Sequence, residues 1–402
     1  MMRGAWVVAA SVLVGGITCA PAVPRADTPP NESTAARAGD ERPVRHEQAA
    51  DEDDALWDPV SPEGQRAMGM YFPGNYFRRH DAQDVIDLAG WTRTNAAVID
   101  LKDGSGRVTY ETDIEILQDS VVNYLGDAAG LIRTLKEAGI YTIARVTCFA
   151  DPKLPERHPE RAILHFRRNE PWVSWGTGGT WLDPYNRDNH AMIEALAREA
   201  EELGFDEVQL DYVRFPVDEG VQYARYPGED DTTRPDLLIE LLRRIDRAIH
   251  IPLSVDVFGL AAYREGDPSG LGQDLEAWVD YVEIYSPMLY INAMRTWQVG
   301  RPDRARYLVE SGVMRLRERL GPRPIIRPYL QAFARGAGHE GFNPRFIARQ
   351  IFGAGRGGSD GFLMWHPGAR YSMFRRAMQG PARRFTPFEL DEELVESRGG
   401  DE

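Results

Sequence analysis

Between about residues 66 and 380, short apolar runs alternate with stretches whose apolar positions recur every three or four residues. Eight runs read as strands: "MGMYFP" from Met68, "AAVIDLKD" from Ala96, "IYTIARVTCF" from Ile140, "EVQLDYVRFP" from Glu207, "IPLSVDVFGL" from Ile251, "YVEIYSPMLY" from Tyr281, "PIIRPYLQAF" from Pro324 and "DGFLMWHPG" from Asp360. Most are apolar almost throughout rather than alternating, the pattern of parallel strands covered on both faces. The gaps carry helical periodicity. "DAAGLIRTLKEAG" offers Asp127 as a cap, Leu131 and Leu135 on one side and Gly139 as a stop. "DPYNRDNHAMIEALAREAEELG" opens on Asp183 and Pro184, suited to a cap and first turn, with Met192, Leu196 and Leu203 on its buried side. "RPDLLIELLRRIDRAIH" places Leu238, Leu241, Leu242 and Ile245 on one face.

Eight strands alternating with helices predict an α/β fold, a (β/α)8 TIM barrel in a single domain over residues 66–380. A doubly wound sheet is the competing topology, but no glycine-rich phosphate turn follows an early strand. The flanks differ in pattern. Residues 1–22 combine a short positive start, an apolar run from Trp6 to Ile17 and the small residues "APA", which predicts a signal peptide and an exported protein. Residues 23–65 are poor in large apolar side chains and read as a disordered linker, and residues 381–402 as a charged, flexible tail.

Composition narrows the function classes. Of 402 residues, 43% are hydrophobic and 27% charged, which permits a sizeable core. The formal charge of −15 comes with no basic stripe, so nucleic acid is not an expected partner, and neutral or weakly charged ligands are favoured. Of the two cysteines, Cys19 falls in the leader; a lipid anchor there, with outer-membrane or cell-surface association, is the alternative to simple secretion. Cys148 is then the only cysteine of the mature chain, so stability rests on the core and not on a disulfide.

Active sites of such barrels lie at the C-terminal strand ends. The residues that fall there are Tyr71 on the first run, Asp100, Lys102 and Asp103 on the second, Arg145 on the third, and Asp211, Tyr212 and Arg214 on the fourth. Asp256 follows on the fifth, Tyr285 and Tyr290 on the sixth, Gln331 on the seventh, and Trp365 with His366 on the eighth. Asp211 and Asp256 sit on neighbouring strands, and glycoside hydrolysis needs two carboxyl groups flanking the scissile bond. Each also reads as a structural ion-pair partner, Asp211 with Arg145 or Arg214. Those arginines are suited to holding a carboxylate ionised by bidentate bonds. Asp100, Lys102 and Asp103 read equally as sugar-binding groups or as a rim network, and the tyrosines and Trp365 as stacking surfaces or packing. "PWVSWGTGGTW", with Trp172, Trp175 and Trp181, reads as a lid or subsite wall. The histidines show no metal-ligand spacing, and no cofactor is implied.

Six segments, "AAVIDLKDGSGRVTY", "IYTIARVTCFADPKL", "WLDPYNRD", "FDEVQLDYVRFP", "SVDVFG" and "YSPMLY", together resemble the glycoside hydrolase-like family DUF4015. The resemblance spans roughly residues 66 to 370 and implies a TIM barrel distantly similar to retaining glycosidases. Asp211 then looks like the counterpart of their nucleophile and Asp256 of their acid/base. That acid/base is usually Glu, and Glu283 on the sixth run is the fallback. The expected function is an exported glycoside hydrolase acting on a poly- or oligosaccharide. A non-catalytic carbohydrate-binding barrel and a metal-dependent enzyme using Asp100, Asp211 and Asp256 are the alternatives.

Overall fold

A computed structural model of the chain describes residues 60–383 apart from 177, 268–269 and 295–297. The expected signal peptide, Cys19, most of the linker and the tail from residue 384 lie outside the described residues.

The eight apolar runs form eight parallel strand positions: β1 (Met68–Phe72), β2 (Ala96–Lys102), β3 (Tyr141–Thr147), β4 (Glu207–Asp211), β5 (Leu253–Val257), β6 (Ile284–Pro287), β7 (Ile325–Ile326 and Tyr329–Gln331) and β8 (Phe362–Trp365). Neighbours pair in sequence order, and β8 pairs back onto β1 through Met68 and Phe362. The first half of β7 pairs with β6 and the second with β8, so one continuous segment closes the barrel. "PIIRPYLQAF" reads as one strand, but Pro328 has no N–H and splits its ladder. The gap is bridged: Arg327 N donates to Tyr285 O and Leu363 N to Pro328 O, each at 2.9 Å.

Helices α1 (Ala82–Thr92), α2 (Ala128–Glu137), α3 (Arg187–Glu202), α4 (Arg234–Asp246), α5 (Arg304–Leu320), α6 (Pro344–Arg356) and α7 (Ser372–Gln379) cover the strands. Asp127 caps α2 by accepting from Gly130 N, and Gly139 (φ +77°) ends the turn beyond it, as its sequence predicts. The start of α3 is a correction. Asn186, not Asp183, is its cap, accepting from Asp188 N at 3.0 Å. Asp183 instead ties two loops, accepting from Tyr185 N and Gly228 N at 3.0 and 2.8 Å. Between β5 and β6 the described residues hold a 3₁₀ turn, Gly259–Tyr263, in place of an α-helix.

Outward side chains of the strands (Met70, Ile99, Val146, Leu210, Val255) join the large core beneath the helices, while inward ones (Tyr71, Val98, Ile143, Tyr329, Leu363) form a separate core inside the barrel. At its N-terminal end sits a fully buried ion pair, Arg327 Nη1 to Glu207 Oε2 at 2.9 Å. The helical turn Pro62–Gln65, which the sequence assigns to the end of the linker, covers this end, and Gly64 O accepts from Arg327 Nη2 at 2.6 Å. The opposite end is left for polar chemistry.

Candidate functional site: three carboxylates on one guanidinium

Successive strand residues point to opposite faces, so alternate positions enter the barrel. At the C-terminal end those positions carry Tyr71, Asp100, Arg145, Asp211 and Asp256, all buried. Arg145 is the hub. Its Nη1 donates to Asp100 Oδ1 at 2.6 Å, its Nη2 pairs with Asp211 Oδ2, and its Nε lies 3.7 Å from Asp256 Oδ2. Tyr71 Oη donates to the other oxygen of Asp100 at 2.6 Å. Asp211 is further fixed by its own chain: Tyr212 takes a left-handed conformation, φ +54°, and its N–H donates to Asp211 Oδ1 at 2.6 Å. A left-handed tyrosine is strained, and such strain persists where the surroundings hold it in place.

Three carboxylates around one guanidinium leave an excess of negative charge in a site shielded from water. The arrangement therefore favours a proton on one of them. Burial, reinforced by the charge of Asp211, holds the Asp256 carboxyl well above the usual carboxylate range. Burial also raises Asp100 to about 6, partly opposed by Arg145. Asp256 has the weakest link to the hub, and its buried Oδ1 has no hydrogen-bond partner among the described residues. The two acids thus differ in kind. Asp211 is gripped by the Arg145 guanidinium and by the Tyr212 backbone N–H. Asp256 is held as an acid with one oxygen unengaged.

Aromatic rings flank the cluster on two sides. Trp365 stacks near Tyr71 (centroids 6.1 Å) and contacts Tyr290 (5.5 Å) and Phe333 (5.4 Å). Opposite, Trp181 meets Tyr212 edge-on at 5.6 Å, and the Arg214 guanidinium lies 4.9 Å from the Trp181 ring and 5.1 Å from the Tyr212 ring. Tyr212, Tyr290 and Trp365 are half-buried.

Other sequence-predicted residues lie elsewhere or work differently. Arg214 does not pair with Asp211; it stacks between rings and donates to Phe215 O at 3.1 Å. Lys102 is fully buried, 2.8 Å from Asp151 Oδ2 and 2.9 Å from Thr147 O, an internal ion pair and not a rim group. Asp103 folds the "KDGSG" turn, accepting from Ser105 N and Arg107 N. Tyr285 has the wrong strand parity: it faces the helical layer, fully buried, and donates to Leu275 O at 3.1 Å. Gln331 is fully buried and pins loops, accepting from Asn292 N and donating to Phe333 O and Arg335 O. His366 accepts from Gly368 N, and burial pushes its ring down to about 4. Glu283, just before β6 begins, accepts from Leu253 N at 2.9 Å, at the strand end away from the acids.

Sequence reasoning passed over a polar belt inside the barrel. Tyr329 Oη donates to Gln209 Oε1 at 2.6 Å, and Gln209 Nε2 donates to Ser286 Oγ at 3.3 Å. Its signal was a glutamine inside the apolar run "EVQLDY". Among the described residues no group of three His, Cys, Asp or Glu side chains is arranged to hold a metal ion, and no helix is long and apolar enough to cross a membrane.

Comparison with known proteins agrees with the fold. The glycoside hydrolase domain of PgaB (BpsB) from Bordetella bronchiseptica is 14% identical, covering 78% of this chain and 98% of that one, with a TM-score of 0.56. Alpha-L-fucosidase isoenzyme 2 from Paenibacillus thiaminolyticus is 13% identical over 79% of this chain and 50% of its own, with a TM-score of 0.51. A hypothetical protein from Ruminiclostridium thermocellum is 31% identical over 47% of this chain and 97% of its own, with a TM-score of 0.42. No curated protein matches. Residues 69–371 match the family DUF4015, described as "Putative glycosyl hydrolase domain"; with three-quarters of its length matched, the chain belongs to that family.

Proposed function

We propose that the protein is a glycoside hydrolase that cleaves a poly- or oligosaccharide with Asp211 and Asp256. Family membership supports a glycosidase-like function. The observation that carries the residue assignment is the unequal treatment of two acids beside one guanidinium. Both Asp211 and Asp256 flank the same guanidinium, so the two carboxyls that glycoside hydrolysis needs are brought to one place. In this reading the sugar lies over the cluster, against the half-buried Tyr290, Trp365 and Tyr212. The Asp256 proton passes to the glycosidic oxygen as its bond to the anomeric carbon breaks. The Asp211 carboxylate attacks that carbon or stabilises its developing positive charge. Water then attacks the anomeric carbon, releasing the Asp211 carboxylate where it had bonded there, and gives its proton back to Asp256.

Arg145 has two parts here: it pairs with Asp211 and, through Asp100 and Tyr71, is itself held in place. Its guanidinium already occupies the centre of the three carboxylates, which disfavours the metal-dependent reading of the same residues. Export is part of the proposal and rests on residues 1–22, with secretion favoured over a lipid anchor at Cys19. The test is a screen of purified protein on a panel of poly- and oligosaccharides beside Asp211→Asn. Turnover of one glycan, abolished in the variant, supports the reading. Binding without turnover would assign a carbohydrate-binding barrel instead.

A further inference from the structure

We infer that the loops following β3 and β4 carry a second saccharide-binding surface, outside the catalytic mouth, centred on Trp175 and Tyr223. The inference rests on the glycan-directed reading above. Four of the eight large hydrophobic residues left exposed among the described residues fall in this one place: Phe166 (44%), Val173 (49%), Trp175 (61%) and Tyr223 (37%). An exposed apolar patch of this kind marks a binding site more often than an accident of composition.

The patch is built, not loose. Leu164–His165 and Ala224–Arg225 form an antiparallel ribbon that joins the two loops, and Phe166 N donates to Tyr223 O at 2.9 Å. The rings of His165, Phe166 and Tyr223 lie parallel within 3° to 16°, with centroids 5.4 to 5.9 Å apart, and Trp175 extends the set 6.1 Å from Tyr223. Trp175 is seated on Gly220, where a Cβ would come within 3.1 Å of the indole, while the residue as a whole stays exposed. Arg225 Nη2 donates to Asn169 Oδ1 at 2.7 Å at the margin, so hydrogen-bonding groups border the flat surface.

Flat rings with polar groups at their edge match a pyranose, which has apolar C–H faces and hydroxyls around its rim. The exposed area is roughly 300–400 Å² when scaled from whole aromatic side chains. A stable protein interface needs about 800 Å² per partner, so the patch is small for a protein and ample for a few sugar rings. It is also continuous with the catalytic end. Buried Trp172 in the same loop donates to Gly220 O at 3.0 Å, and Trp181 at the loop's base contacts Tyr212, next to Asp211. A polymer gripped at Trp175 would therefore lead to the mouth.

The test compares the full-length protein with Trp175→Ala and Tyr223→Ala in native gels containing candidate polysaccharides. It also compares their kcat/KM on a polysaccharide and on a short glycoside of the same sugar. Losing one stacking contact is expected to weaken polymer retention and polymer kcat/KM about tenfold in each variant, with short-glycoside hydrolysis unchanged. Equal effects on both substrates, unchanged polymer retention, or a change of oligomeric state in either variant would overturn the inference. Weakened retention without hydrolysis of any glycan would uphold this surface while removing the proposed activity. Hydrolysis with no loss of retention would do the reverse.

Discussion

Arg145 meets three buried carboxylates with one planar fork, and the geometry of that fork decides what replaces it. Lysine keeps the charge but offers a compact ammonium that cannot reach three partners at fixed angles. Arg145→Lys should therefore lose at least about tenfold in kcat/KM while remaining folded. Arg145→Ala leaves the carboxylates uncompensated and should lower stability by about 3–5 kcal/mol in urea titrations. Wild-type kinetics in Arg145→Lys would show that the hub is structural only.

Asp256 makes a pH prediction. Its carboxyl is held above the usual range by burial and by Asp211, so the folded state retains a proton that the unfolded chain releases at about pH 3.9. Between that pH and the raised value the native state binds more protons, so stability falls as pH rises through the window. Asp256→Asn removes this term. Its melting temperature should match wild type near pH 3.5 and exceed it increasingly toward neutrality; a difference constant with pH would contradict the assignment. At this scale the sequence was informative about which strands carry acids, because a polar residue in an apolar run is conspicuous. It was less so about direction. Tyr285 and Ser286 are adjacent, and only the register of β6 against β5, with Ser286 beside Asp256, decides that Ser286 faces inward.

Among the elements, the strands were legible because each is buried on both faces and so is apolar throughout. Boundaries were not. The start of α3 was misplaced because Asp183-Pro184 and Asn186-Arg187 are both good cap sequences, and the tie from Asp183 to Gly228 in a distant loop settles the choice. The turn Pro62–Gln65 looked like linker since its four residues have no apolar face. Its role comes from Gly64, where a Cβ would lie 2.7 Å from the buried Tyr141 ring. Gly64→Ala should thus destabilise by about 1–3 kcal/mol through overpacking, even though alanine is the better helix former. A neutral or stabilising result in thermal melts would mean that the turn does not seal the barrel.

For the whole molecule, the barrel is polar at both ends of its interior: a Glu207–Arg327 pair with the Gly64 carbonyl at one, the acid cluster at the other. The first was invisible in the sequence because its partners are far apart in the chain and meet only across the barrel axis. Removing one of them should cost about 3–5 kcal/mol, as in Glu207→Gln, whereas the double change Glu207→Met with Arg327→Met should recover much of that loss. Additive losses in urea titrations would refute the pairing. The site was legible as a set of strand-end residues, but the hub was not, since two arginines were available and only the folded barrel selects Arg145 over Arg214.

The proposed division of labour between Asp211 and Asp256 is tested most directly by leaving-group dependence. kcat/KM would be measured for wild type, Asp211→Asn and Asp256→Asn on two glycosides of the same sugar, one with an activated aryl leaving group and one with an alcohol. Asp211→Asn should lose about 10²-fold or more on both, and Asp256→Asn a similar factor on the alcohol glycoside but little on the aryl one, which departs without a proton. Wild-type rates in Asp211→Asn, or equal losses on both substrates in Asp256→Asn, would contradict the account.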